Sequence, residues 1–280
     1  MRATGINSSM FGADNTVSIR TFCTENLPGI LQLIHFYSSK VRADSAAKNS
    51  VVKDQFDHGF VYLNSAHKAA VKWRNKAGKI QFCGSGAYAL AWYMLKGETD
   101  SQIELNTGYR TLTAEWLAGS VDFSANSTAK MFSAPDGKHC YLSIPCFQPV
   151  EVEELEGAGR LFVDSASGIY LLQLDCINTL ENTTLLASLV EQLSSFDIHG
   201  FCAFYWNGHN NIGKLRYFVP WHGRDEDYVT GSIHQYLTPL VHDLYGSKKQ
   251  CWQQISSSSG CLISEDYYDH VRISGQCQQL

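Results

Sequence analysis

Residues 84–97 read Gly-Ser-Gly-Ala-Tyr-Ala-Leu-Ala-Trp-Tyr-Met-Leu-Lys-Gly, and this stretch constrains the fold more than any other. Ala87, Leu90, Ala91, Met94 and Leu95 recur at helical spacing, while Tyr88, Trp92 and Tyr93 occupy the remaining faces. The spacing predicts a helix over 86–96, apolar nearly all round and stopped at Gly97. A helix with no polar side has to be enclosed. Its apolar run is only about half of the ~20 residues that a membrane span needs, so protein rather than lipid must enclose it. The flanking segments read as short strands, so the enclosing layer is sheet.

A second stretch repeats the pattern. Residues 232–245 predict a buried helix closed by Gly246, with Pro239 expected to kink it. Before the first helix, 60–63, 69–73 and 79–83 read as a strand meander, and 103–105, 109–117 and 121–123 follow it as strands. Beyond it, strands are expected at 140–144, 160–163, 169–174, 201–206 and 215–219. A helix is expected at 183–193 with Asn182 as cap, and 261–263 with 270–273 read as a closing hairpin. Residues 27–37 carry apolar positions at 27, 30, 31, 33, 34 and 36, which predict a helix. The polar run 124–130 is the expected boundary between two lobes. The architecture expected is therefore α/β: lobe 1–123 around helix 86–96 and lobe 131–280 around helix 231–245, two degenerate copies of a curved mixed sheet wrapped on a central helix, with a cleft between them.

Composition removes several function classes. With 44% hydrophobic and 18% charged residues the chain is globular, and a net charge of −5 without a basic cluster opposes nucleic-acid binding. No membrane segment is expected. Met1 to Gly5 hold no apolar signal core, which predicts a cytoplasmic protein. The nine cysteines are scattered without any C-x-x-C pair, so no metal site is expected and most should act as small buried apolar residues.

Chemistry concentrates at the two helix mouths. Cys83, Gly84, Ser85 and Gly86 open the first helix, and Asp227, Thr230, Gly231 and Ser232 open the second. Glycines let backbone N–H groups approach a ligand, and a helix N-terminus adds partial positive charge, so each mouth suits an anion. Facing one another, they would form one carboxylate cleft; taken singly, each reads equally as an ordinary helix cap. Gly84-Ser85-Gly86-Ala87-Tyr88-Ala89 also fits G-x-G-x-x-A, with Glu104 placed for a ribose, which leaves open an NAD-binding oxidoreductase. The preceding segment 79–82 lacks the continuous apolar run of a buried parallel strand.

The stretch 215–232, Leu-Arg-Tyr-Phe-Val-Pro-Trp-His-Gly-Arg-Asp-Glu-Asp-Tyr-Val-Thr-Gly-Ser, resembles the signature of the PhzF-like phenazine-biosynthesis family, and the 82–86 mouth and the 259–275 tail are similar to that family's first helix mouth and closing strands. The resemblance covers roughly 60–280. It implies the diaminopimelate epimerase-like fold and a cofactor-independent isomerase or epimerase that moves a proton on a small carboxylate substrate. By position it implies Asp57 as acid/base where the family carries Glu, Asp227 as a polar partner, and Ser85 where the family carries His. Cys83, Gly84, Gly86, Thr230, Gly231 and Ser232 would line the substrate. Cys83 matches a catalytic cysteine of related amino-acid racemases, and a thiol at a helix N-terminus is expected to have a lowered pKa. Its partner position falls at Tyr228, which excludes a two-cysteine mechanism. Among His58, His222 and His234, His234 is the best placed to substitute as proton carrier or to contact substrate; each also reads as a structural donor or surface residue. Relatives of this fold often pair, so a homodimer is expected. The missing His, the shorter acid and the divergent N-terminal region suit an alternative: a relative that keeps the fold and binds a ligand without catalysis.

Overall fold

The computed structural model describes residues 14–96, 101–118, 138–155, 159–182, 188, 190–191, 198–208 and 210–280. The first half runs β1 (Asn15–Thr21), β2 (Ile30–Tyr37), α1 (Lys40–Asn49), β3 (Asp57–Ser65), β4 (Lys68–Asn75), β5 (Gly78–Ile80), α2 (Gly84–Leu95), β6 (Gln102–Asn106), β7 (Thr111–Ala118) and β8 (Lys138–Pro145). The second runs β9 (Val150–Leu155), β10 (Gly159–Asp164), β11 (Ile169–Leu174), α3 (Ile177–Glu181), β12 (Gly200–Asn207), β13 (Ile212–Val219), β14 (Arg224–Glu226), α4 (His234–Tyr245), β15 (Lys249–Gln254), β16 (Gly260–Asp266), β17 (His270–Ser274) and β18 (Cys277–Gln279).

The pairing makes the internal repeat explicit. In the first half β1 and β2 are antiparallel, β2 and β3 parallel, β3 and β4 antiparallel, β4 and β6 parallel, then β6, β7 and β8 antiparallel. In the second half β10, β11, β12, β13, β15, β16 and β17 follow the same sequence of senses. β5 and β14 hang on β4 and β13, each just ahead of a central helix. The equivalent strands β8 and β17 pair antiparallel and join the halves, and β18 crosses back to pair with β1.

Strands contributed by both ends of the first half surround α2, which packs against β1, β2, β3, β6, β7 and β8. Eleven of its twelve residues are buried, which is why no polar face was needed. The Tyr88 hydroxyl fastens it to the β17–β18 turn, donating to the carbonyl of Gly275 at 2.8 Å and accepting from that residue's N–H at 2.9 Å. In the second half α4 packs on β16 and β17. Pro239 stands inside it, yet the helix continues. Proline leaves the Gln235 carbonyl without its intrahelical donor, and the Phe147 N–H takes that carbonyl at 2.9 Å.

Several expectations fail for identifiable reasons. Residues 27–37 do not form a helix: 30–37 is the strand β2, with Ile30, Gln32, Ile34 and Phe36 buried and the residues between them half-buried. Leu31 and Leu33 make its second face apolar as well, which hides the period of two. The helix nearby is instead α1, whose buried stripe is only Ala43 and Ala47 and whose N-cap is Ser39, accepting from the Arg42 N–H. Residues 81–83 do not continue the strand β5, which ends at Ile80. The expected strand 121–123 and the boundary 124–130 lie outside the described residues, as does most of the expected helix 183–193. Asn182 stands at the C-terminal end of α3.

Candidate active site

The mouths of α2 and α4 meet backbone to backbone. A Cβ placed on Gly84 would lie 2.4 Å from the Ser232 nitrogen and 2.8 Å from the Gly231 carbonyl carbon, and one on Gly231 would lie 3.1 Å from the Ser85 nitrogen. Only residues without a side chain permit that approach. Gly86 serves a different neighbour, since its Cβ would strike the Trp73 ring at 2.5 Å, and Gly59 abuts the same ring at 2.6 Å.

Asp57 opens β3 and points into this junction, 7% exposed. The Cys83 thiol donates to its Oδ2 at 3.3 Å, and Oδ1 accepts no hydrogen bond, with the Arg224 guanidinium 3.6 Å away. Burial raises the Asp57 pKa; Arg224 opposes the rise and the charge of Asp227 reinforces it. The carboxyl therefore keeps its proton to higher pH than an exposed aspartate.

Cys83 caps α2, accepting from the Gly86 N–H at 3.3 Å. Its expected low pKa is not found. Burial first, and the neighbouring Asp57 second, push it well above the ordinary thiol value, so it is a neutral hydrogen-bond donor. The helix N-terminus is outweighed because the thiol is buried. Ser85 is buried and accepts from the Gln32 amide at 3.1 Å. Gln32 is itself fully buried on β2, a residue that reading the segment as a helix had concealed.

Asp227 differs from Asp57 in its partners. Three donors converge on it: Arg224, the Tyr228 N–H at 3.0 Å and the Thr230 hydroxyl at 2.6 Å. The Thr230 N–H is already bonded to Gln254 Oε1 at 2.8 Å, and the Gln254 amide returns to the Asp227 carbonyl at 2.7 Å. Thr230 thus braces the second mouth from behind, and Gly231 and Ser232 form the part of it that faces α2.

None of the three histidines reaches Asp57. His58 lies on the opposite face of β3, paired with Asp54 at 3.0 Å and with His35 at 2.9 Å, beside a hollow of about 340 Å³. His222 bonds the His199 carbonyl at 3.1 Å. His234 is 1% exposed, with its ring 5.8 Å from that of Trp252 and Nδ1 unpartnered; burial pushes it down to about 3, so it stays neutral. A neutral imidazole sealed in the core takes up no second proton at ordinary pH.

The dinucleotide alternative lacks its geometry. α2 follows a three-residue strand antiparallel to β4 rather than a buried parallel strand, and Glu104 pairs with Lys68 at 3.2 Å. Among the described residues, no group of three or more His, Cys, Asp and Glu is arranged to hold a metal ion, and no helix is long and apolar enough to cross a membrane.

No protein-family model and no curated protein matches the chain. Solved structures do. A PhzC/PhzF phenazine-biosynthesis protein from Clostridium difficile superposes with a TM-score of 0.70 at 18% identity, over 96% of this chain and 97% of its own. A PhzF-family protein from Enterococcus faecalis gives 0.69 at 16% identity, over 95% and 96%. A hydroxyproline epimerase from Agrobacterium vitis, solved with trans-4-hydroxy-L-proline bound, gives 0.55 at 11% identity, over 95% and 90%. The chain has the PhzF-like fold, and the solved hydroxyproline epimerase is similar to it over most of both chains.

Proposed function

We propose that the protein is a cofactor-independent isomerase or epimerase that moves a proton on a small carboxylate-bearing metabolite, with Asp57 as general acid/base. The observation that carries this reading is the Asp57 carboxyl, buried beside the thiol of Cys83 at the junction of two glycine-lined helix mouths. A carboxyl whose pKa is raised by burial holds its proton to higher pH than an exposed aspartate, which suits it to take up a proton as well as release one. As carboxylate, Asp57 takes a proton from the carbon next to the substrate's carboxylate. The C–H electron pair moves into the carboxylate system, and the charge gathers where Gly84, Ser85, Gly231 and Ser232 present N–H groups and two helix N-termini. Asp57 then delivers the proton to a carbon further along a conjugated system, which shifts a double bond; epimerisation instead requires the proton to reach the opposite face of the same carbon, from water, because return to the face it left regenerates the substrate. Nothing is oxidised or reduced, so the step needs no redox cofactor.

The test is solvent-deuterium incorporation, read by mass spectrometry, into a panel of small amino acids, hydroxy acids and cyclic carboxylates. Wild type should incorporate label into at least one member, and Asp57→Asn should lose at least two orders of magnitude in rate, the range that general acid/base catalysis supplies. A binding protein that has lost catalysis is the second reading, favoured by Ser85 and the core-buried His234, which leave Asp57 without a histidine partner at the mouths. It predicts ligand-dependent stabilisation without exchange, in wild type and Asp57→Asn alike.

A further inference from the structure

Arg224 joins segments from the two halves of the chain. On its own side it bonds Asp227, and its guanidinium lies 5.2 Å from the centroid of the Tyr228 ring. On the other side it donates to the Gln55 carbonyl and stands 3.6 Å from Asp57 Oδ1. Tyr228 spans the same gap, its hydroxyl donating to Gln55 Oε1 at 2.9 Å. Together the two side chains fasten the turn before β3 to the approach of α4. At 3.6 Å a guanidinium acts on a carboxylate by charge rather than through a formed hydrogen bond. The side chain is 16% exposed, so water screens that charge only partly.

We propose that Arg224 is a positioning residue: by linking Asp227 to Gln55 it fastens the approach of α4 to the turn before β3 and places a fixed positive charge beside Asp57, so that this contact between the two halves and release of the Asp57 proton are coupled. The proposal rests on the isomerase reading only where it calls Asp57 the acid. The groups that bear on Asp57 are Cys83 from the first helix mouth, Asn75 from β4, and Arg224 with Asp227 from the second half. Arg224 is the one that favours the charged form by its own charge. Asp227 and burial act the other way, so removing Arg224 leaves both unopposed.

The Cys83 thiol supplies a readout that needs no substrate. Because it donates to Asp57 Oδ2, its S–H stretching band moves to lower frequency when Asp57 ionises, since a hydrogen bond to a charged acceptor is stronger. The band is isolated by difference against Cys83→Ala, and its pH dependence is assigned by its disappearance in Asp57→Asn. In Arg224→Met the midpoint should rise by roughly one to three pH units, the usual effect of an adjacent arginine on an aspartate. Arg224→Lys, which keeps the charge, should return most of that shift. Should Arg224→Met fail to unfold cooperatively, Arg224→Gln takes its place with the same expectation. A folded Met or Gln variant titrating at the wild-type midpoint overturns the proposal, and so does an equal shift in the Lys variant, which would make the role purely structural. Absence of deuterium exchange in wild type would defeat the isomerase reading while leaving this titration to stand or fall separately.

Discussion

Gly84→Ala tests whether contact between the two mouths organises the site. The added Cβ would lie 2.4 Å from the Ser232 nitrogen and 3.0 Å from its Cα, both backbone atoms that cannot swing aside. Ordinary contact begins near 3.4 Å, so the mouths must part by about 1 Å. Overpacking of this kind costs about 1–3 kcal/mol. Alanine's better helix propensity returns up to ~1 kcal/mol, less at the first helical residue, where few hydrogen bonds are at stake. The net expectation is a loss of about 1–2 kcal/mol, at ~2–4 °C of melting temperature per kcal/mol for a chain of this size. Exchange should fall further than stability, because a 1 Å misplacement of catalytic groups costs about a hundredfold. Gly208→Ala is the control: its Cβ meets only Trp206 Nε1, at 3.9 Å, and should change stability by less than ~0.5 kcal/mol. Urea unfolding of both variants decides the matter. A Gly84→Ala protein as stable as Gly208→Ala, with undiminished exchange, would show that the mouths do not bear on each other as argued.

Two further predictions concern pH. His234 titrates near 6.5 when unfolded and near 3 when folded, so between those values the unfolded chain binds the extra proton and stability falls as pH falls, by about 1.4 kcal/mol per unit. His234→Leu should flatten the urea midpoint between pH 4 and 6.5, and an unchanged slope would refute the neutral core imidazole. Asp57 has the opposite sign: its folded pKa lies above the unfolded 3.8, so its contribution is complete below 3.8 and lost as pH rises through the folded value. Asp57→Asn should therefore gain stability over wild type as pH rises through that window; a gap that stays constant with pH counts against a raised Asp57.

The two central helices were legible because a segment that is apolar all round leaves only one placement, and α2 with its 84–86 opening bears this out. The repeat was legible as texture, but its proof lies in strand senses, which no local pattern carries. β2 was misread for a physical reason. Its outer face holds Leu31 and Leu33 where a half-exposed strand would show polar residues, so the alternation that marks a strand is absent from the composition. α1 was missed for the converse reason, since two buried alanines make too thin a stripe to register.

The site was legible in part because glycines at a helix mouth signal close approach, and the partner approached proved to be the other mouth. Its charge balance was not legible. Asp57 and Asp227 look alike in the sequence, yet three donors converge on Asp227 while Asp57 has a weak thiol donor on one oxygen and no hydrogen bond on the other. The donors on Asp227 stand at 224, 228 and 230, within its own turn, whereas the groups that bear on Asp57, Cys83 and Arg224, arrive from distant parts of the chain. A sequence motif records where backbone must come close; it does not record that one turn folds its own donors onto Asp227 while Asp57, on β3, is left under-satisfied, with a thiol donor alone. That under-satisfaction fits Asp57 for proton transfer, because a carboxyl held by several donors would resist taking up a proton.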